Sequence, residues 1–235
     1  MAPVARELAS VCGVLEPLQK AESLDGQVEE LRSVLAAHAA LPVILIGYSW
    51  GAWLSFILAA RYPALVRKLI LVGSGAFEES YVAQLMANRL SHLTAAEGQE
   101  FQTLVRELVE PDAPNKDAML ARLGLLASKA DAYDPLSSGE PPAPLHGEIY
   151  QRVWPAAAAM RRSGELLDLG RSVRCPVVAL HGDYDPSPAE GVRVPLAAVL
   201  SDFRFILLAR CGHTPWRERQ ARVEFYEILR EELRL

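Results

Sequence analysis

Five short runs of Val, Ile and Leu punctuate the chain: GVLEPL (13–18), PVILIG (42–47), KLILVG (68–73), PVVALHG (176–182) and FRFILLA (203–209). They are apolar at successive positions rather than alternating. That is the pattern of strands buried on both faces, as in a parallel sheet covered by helices on each side. Between the first two runs, LDGQVEELRSVLAAHAA carries Val28, Leu31, Val34, Leu35 and His38 at helical spacing, with Ser23 or Asp25 available to cap its start. Residues 50–61 read as a helix apolar almost all round, which requires burial against the sheet, and Pro63 follows its end. The stretch PWRERQARVEFYEILREEL reads as a charged amphipathic helix that turns Val223, Tyr226, Ile228 and Leu229 toward a core.

Strands that alternate with helices predict an α/β fold with a mostly parallel sheet. One region breaks the alternation. From residue 77 to about 170 there are only helical patches, such as SYVAQLMANRL and GQEFQTLVRELVE, a Pro/Ser/Gly-rich loop DPLSSGEPPAPLHG, and the alanine run of VWPAAAAMRR. The expected organisation is a core built from residues 1–76 and 171–235, with a helical insertion over 77–170.

Composition narrows the function. The 235 residues fit one large domain or a core with one sizeable insertion. A net charge of −5 leaves no basic footprint, so nucleic-acid binding is not expected. The apolar runs fall far short of the roughly 18 residues of a membrane span. Arg6 and Glu7 stand where a signal peptide needs an apolar stretch, so a cytoplasmic protein is expected. Cys12, Cys175 and Cys211 are widely spaced and form no ligand pattern, which reads as three reduced thiols and implies no metal.

Gly47-Tyr48-Ser49-Trp50-Gly51 matches G-x-S-x-G at the place where an apolar strand ends and a buried helix begins. A turn that tight forces the serine into a strained conformation and projects its hydroxyl above the sheet edge. The helix amino terminus there favours developing negative charge. A serine hydroxyl is a poor nucleophile near neutral pH and needs a base, which in turn needs an orienting group. His213, in CGHTPW just beyond the last strand run, occupies the end of the sheet where functional groups gather in parallel α/β proteins. His38 and His92 fit helix faces, His146 sits in the Pro-rich loop, and His181 ends a strand. The acid is expected from HGDYDPSP, where Asp183 and Asp185 both qualify, although either could also serve only to make a turn.

In order and spacing these motifs resemble the α/β-hydrolase superfamily, and the likeness covers nearly the whole chain. Ser49, Asp185 and His213 follow that family's order of nucleophile, acid and base. HGDYDPSP resembles its G-x-x-D element, which selects Asp185 over Asp183, and CGHTPW resembles its histidine loop. The insertion falls where members carry a cap. Within the superfamily, GYSWGAW is similar to proline-iminopeptidase-like hydrolases. The resemblance implies a serine hydrolase that works through an acyl-enzyme without a cofactor, with the N–H of Trp50 as one oxyanion donor.

Two features bear on how complete that site is. In the family a second oxyanion donor comes from a loop after an earlier strand, often marked by HG, and no such element precedes Ser49. APVARELA instead resembles the helix that follows the oxyanion loop, so amino-terminal strands of the family core are expected to be absent. The strands of GVLEPL and PVILIG would then pair directly, or another chain would fill an exposed edge and make a homo-oligomer, or the sequence is a shortened hydrolase. For the substrate, Tyr48 and Trp154, with Tyr150, Met160, Leu166, Leu167 and the alanine run, suggest an apolar pocket for a small hydrophobic ester or amide. Glu78, Glu79, Glu97, Glu100 and Glu107 are the carboxylates an iminopeptidase could draw on to hold an ammonium. The alternatives are a non-catalytic or impaired member of the fold that serves in binding, and an acyltransferase with the same triad.

Overall fold

The computed structural model describes residues 1–110, 112–136 and 147–234. Helices α1 (Ala2–Leu8) and α2 (Leu24–His38) lead into β1 (Val43–Tyr48), α3 (Trp50–Arg61) and β2 (Val66–Val72). Four helices follow, α4 (Val82–Ser91), α5 (Ala95–Leu108), α6 (Lys116–Ala130) and α7 (Gly147–Ser163), and then the short α8 (Glu165–Asp168). The chain closes with β3 (Val177–Gly182), α9 (Glu190–Val199), β4 (Phe203–Leu208) and α10 (Arg222–Glu232).

The strands form one parallel sheet in the order β1-β2-β3-β4. Alternate side chains sort to its two faces. Leu45, Leu69, Leu71, Val177, Ala179 and Phe205 enter a core with α2, α3, α8 and α9. Ile46, Ile70, Val72, Leu180 and Leu208 enter a second core with α1 and α10. Helix α3 buries every residue from Ala52 to Ala60, as its all-round apolar sequence requires. Ser23 caps α2 by accepting from the Gly26 N–H at 3.1 Å.

Three expectations need correction. Residues 13–18 form no strand, and Leu15 and Leu18 are exposed. Pro17 lacks the N–H a ladder needs, and Glu16 is drawn to the Met1 ammonium at 2.7 Å. Direct pairing of that run with β1 therefore does not occur. Among the described residues β1 pairs only with β2, and its outer edge faces a groove of about 730 Å³ walled by Val4 and Leu8 of α1, residues 12–17 and Gln19, and Leu31 and Leu35 of α2. The last helix begins at Arg222 rather than near Trp216, after a 3-10 turn over Pro215–Arg217. Its inward stripe is Phe225, Tyr226 and Leu229. Val223 lies roughly 110° round the helix from the centre of that stripe, at about 100° per residue, and is exposed.

Helices α5 and α6 build a separate small core around Phe101, Leu108, Leu120, Leu123 and Leu126. Ala157 and Met160 of α7 and Leu166 of α8 pack instead into the main core. Between β2 and β3 the described residues contain no strand, only one bridge, Pro135 to Glu218. Most of the Pro-rich loop, including His146, lies outside the described residues. No described helix is long and apolar enough to cross a membrane.

Candidate active site

β1 ends at Tyr48 and α3 begins at Trp50, so Ser49 alone makes the turn, with φ 53° and ψ −120°. A non-glycine residue there is strained by about 1–3 kcal/mol and persists only where its surroundings hold it. Two contacts do so. The Ser49 N–H donates to the Val72 carbonyl at 3.0 Å, and α3 packs so tightly on Gly47 that a Cβ there would lie 2.3 Å from the Gly51 carbonyl oxygen. The two glycines of the motif are not equivalent. A Cβ on Gly51 would meet nothing within 4 Å. The Trp50 N–H stands at the first position of α3, where the helix offers it no partner.

His213 arrives from the far side of the sheet. Its loop leaves β4, one edge strand, and must cross the ends of β3 and β2 to reach Ser49 beside β1. Glycines at both strand ends let it pass. A Cβ on Gly182 would lie 2.2 Å from the Cys211 carbonyl oxygen, and one on Gly73, whose φ is +49°, 2.7 Å from that of His213. The crossing brings Nε2 of His213 to 3.0 Å from Ser49 Oγ and Nδ1 to 2.7 Å from Asp185 Oδ2.

The two aspartates separate here. Asp185 is 6% exposed, and its other oxygen accepts the Ser187 N–H at 2.9 Å. Asp183 turns away and accepts the Cys211 N–H at 3.0 Å. Burial alone would raise the Asp185 carboxyl, but the facing His213 and His181 rings and its bonds from His213 and Ser187 hold it below the usual carboxylate range. Burial likewise works against a charged His213, yet Asp185 beside it raises the imidazole above its ordinary value. A carboxylate only accepts, so Nδ1 carries the proton and the neutral ring presents an acceptor at Nε2 to the serine hydroxyl.

Tyr48 lies beside the imidazole. Its ring packs 5.0 Å from that of His213 and 4.6 Å from that of Trp216, and its hydroxyl bonds Thr214 at 2.8 Å. An aromatic row runs from the elbow toward α7. Trp50 meets Trp53 edge-on at 6.4 Å, Trp53 stacks on Trp154 at 5.8 Å, and Trp154 stacks on Tyr150 at 6.0 Å. Trp154 keeps 37% of its surface exposed, whereas Met160 and Leu166 are buried in packing.

The remaining candidates are placed elsewhere. His38 is exposed at the end of α2, and His92 bonds the Ala130 carbonyl and stacks on Tyr184. His181 is buried, with Nε2 2.7 Å from the Ser187 carbonyl, in the loop that carries Asp185. Burial pushes the Cys211 thiol far up, which keeps it protonated and inert. Glu79, Glu97 and Glu100 are engaged by Arg161, Lys129 and Arg122. Sequence reasoning missed Asp131 and Glu218, and the part that Gly73 and Gly182 play in the crossing. The Asp131 carbonyl accepts the His213 N–H at 2.7 Å. Gly73 and Gly182 carried a legible signal, since each closes a strand run at the end where the site lies. Glu218 was hidden in the charged run WRERQ.

A family model described as alpha/beta hydrolase fold matches residues 16–215. A search of curated proteins gave no match. Among solved structures, VinJ is similar with a TM-score of 0.60 and 21% identity over 91% of this chain and 74% of that one. The proline iminopeptidase of Mycobacterium smegmatis aligns with a TM-score of 0.56 and 16% identity over 94% of this chain and 76% of its own. The 2-hydroxy-6-oxo-6-phenylhexa-2,4-dienoate hydrolase of Rhodococcus sp. strain RHA1 aligns at 0.55 and 19% identity, over 93% of this chain and 75% of its own. At these identities the likeness to solved structures shows the fold alone.

Proposed function

The chain belongs to the alpha/beta hydrolase family, and on that premise we propose that it is a serine hydrolase that cleaves a small apolar ester or amide through an acyl-enzyme. The observation that carries this reading is the unbroken line from Asp185 Oδ2 through His213 to Ser49 Oγ. In the reaction, Nε2 of His213 takes the hydroxyl proton as Oγ bonds the substrate carbonyl carbon. Asp185 stabilises the imidazolium formed. The Trp50 N–H and the amino-terminal end of α3 face the negative charge that gathers on the carbonyl oxygen. The imidazolium then gives its proton to the leaving alcohol or amine as that bond breaks. Water, deprotonated by the same ring, releases the acid and restores Ser49.

An apolar substrate is supported by the aromatic row, which begins at Trp50, next to the nucleophile in the chain, and runs through the partly exposed Trp154 to Tyr150. Tyr48 supports the site from beside the imidazole, since its hydroxyl is already engaged by Thr214. The helices between β2 and β3 serve as the cap of the site.

Hydrolysis of p-nitrophenyl esters of increasing acyl length tests the proposal. Release of nitrophenol that grows with chain length and vanishes in Ser49→Ala supports it, whereas equal rates in the two proteins reject it. A second reading, a binding protein of the same fold with a weakened oxyanion site, is favoured by the groove along the open edge of β1. Loss of one oxyanion donor costs about 2.7–4 kcal/mol. That reading predicts stoichiometric acylation with little turnover.

A further inference from the structure

Glu218 stands five residues after His213, is 1% exposed, and commits its carboxylate to main-chain N–H groups. Oε1 accepts from Gly212 at 3.1 Å and from Tyr133 at 2.9 Å, and Oε2 accepts from Asp134 at 2.8 Å. One donor directly precedes His213. The other two belong to a strap, residues 131–136, that follows α6. A carboxylate so deeply buried is tolerable only where it is hydrogen-bonded, and three charge-assisted bonds engage both of its oxygens.

The same two segments are joined at other points. The Asp131 carbonyl accepts the His213 N–H at 2.7 Å, the Leu136 N–H donates to the Arg217 carbonyl at 2.7 Å, and the Arg219 N–H donates to the Asp134 carbonyl at 3.0 Å. Asp131 is itself held by both arms of the Arg89 guanidinium, at 2.7 and 2.8 Å. There is no slack in the joint. A Cβ on Gly212 would lie 2.1 Å from the Asp131 carbonyl oxygen and 2.6 Å from Glu218 Oε1. On the other side a Cβ on Gly73 would lie 2.7 Å from the His213 carbonyl oxygen. The backbone of His213 is thus gripped between the strap and the end of β2, and Glu218 is where strap and loop are tied together.

We infer that Glu218 is a positioning residue for His213: it fuses the strap at 131–136 to the loop at 211–219 and so sets the imidazole within bonding distance of both Asp185 and Ser49. The kinetic consequence rests on the serine-hydrolase reading, whereas the placement of the ring does not. A glutamine at 218 keeps the shape but turns an NH₂ group toward at least one N–H donor, whichever way its amide faces. The joint then loosens at the residue next to His213. If Glu218 only stapled two loops, its loss would lower stability and leave the imidazole as it was.

Proton NMR of the full chain tests this, with Glu218→Gln and Glu218→Asp beside the wild type and Asp185→Asn as the assignment control. The wild type should show the far-downfield resonance of the His213 Nδ1–H bonded to Asp185. Glu218→Gln, still folded by its amide dispersion, should lose or shift that resonance. Its labelling at Ser49 by a fluorophosphonate should slow roughly 10- to 100-fold, the scale of a misplacement of about 1 Å, with KM for an ester unchanged. A folded Glu218→Gln protein with the wild-type resonance and labelling rate overturns the inference. A wild type that never labels, but whose resonance still depends on Glu218, upholds the positioning role and removes the hydrolase reading. If neither variant folds, amide exchange of the wild type decides. The N–H groups of Gly212, Tyr133, Asp134 and His213 opening as one unit support the inference, and a strap that exchanges fast on its own defeats it.

Discussion

Ser49 Oγ and His213 Nε2 lie 3.0 Å apart although 164 residues separate them in the chain. Their strands are the two outermost of the sheet, β1 and β4, so the contact depends on the histidine loop crossing two intervening strand ends. Gly73 and Gly182, where no Cβ would fit, make that crossing possible. The pairing of serine and histidine is therefore a property of the whole sheet rather than of two local motifs.

The pH dependence follows from His213. The ring must be neutral to accept the serine proton, and Asp185 raises it above its ordinary 6.5. The value of kcat/KM should therefore rise with pH through an apparent midpoint above 6.5 and flatten beyond it. The stability contribution runs the other way. A raised folded-state value adds stability that is fully present below the unfolded value and lost as pH rises through the folded one. Rate and melting profiles over the same pH range should show these opposite trends, and Asp185→Asn should move the rate midpoint down.

Asp185 and Asp183 should separate by function. Asp185→Asn removes the acceptor that fixes the imidazole tautomer, and kcat is expected to fall by about 10⁴. Asp183→Asn weakens only the bond to the Cys211 N–H. It should keep activity within an order of magnitude and cost about 1 kcal/mol of stability. Ester kinetics and denaturant unfolding on both variants check this, and comparable losses of activity would undo the assignment of the acid.

The two glycines of GYSWG should also respond differently. Gly47→Ala drives a Cβ into the Gly51 carbonyl and should destabilise the fold by several kcal/mol, beyond the roughly 1–3 kcal/mol of ordinary overpacking, because the obstacle is backbone. Gly51→Ala has open space at the second residue of α3 and should range from neutral to about 1 kcal/mol more stable. Thermal unfolding of the two variants measures the contrast.

Much of the fold was legible because each of the four sheet strands contains a run of apolar residues and α3 is apolar all round. The elbow was legible because Gly47 and Ser49 sit at a strand-to-helix boundary. GVLEPL misled because its composition suits a strand, while Pro17 and the company of Glu16 deny it a ladder. Val223 misled because an apolar residue near a helix start was assigned to a stripe whose phase is set by Phe225, Tyr226 and Leu229. The choice between Asp183 and Asp185 rested on resemblance alone, since two carboxylates two residues apart differ only in where the loop aims them. Glu218 was invisible because a buried carboxylate that binds main-chain N–H groups carries no sequence pattern distinct from a solvated one.

The central claim is that Ser49 is a nucleophile activated by His213. Incubation of the wild type, Ser49→Ala and His213→Ala with a fluorophosphonate probe, followed by intact-mass and peptide mapping, tests it most directly. The account predicts one phosphonyl adduct on Ser49 in the wild type, none in Ser49→Ala, and labelling slowed by at least about 10³ in His213→Ala. A folded wild type that takes up no probe, or an adduct that survives Ser49→Ala, would contradict it.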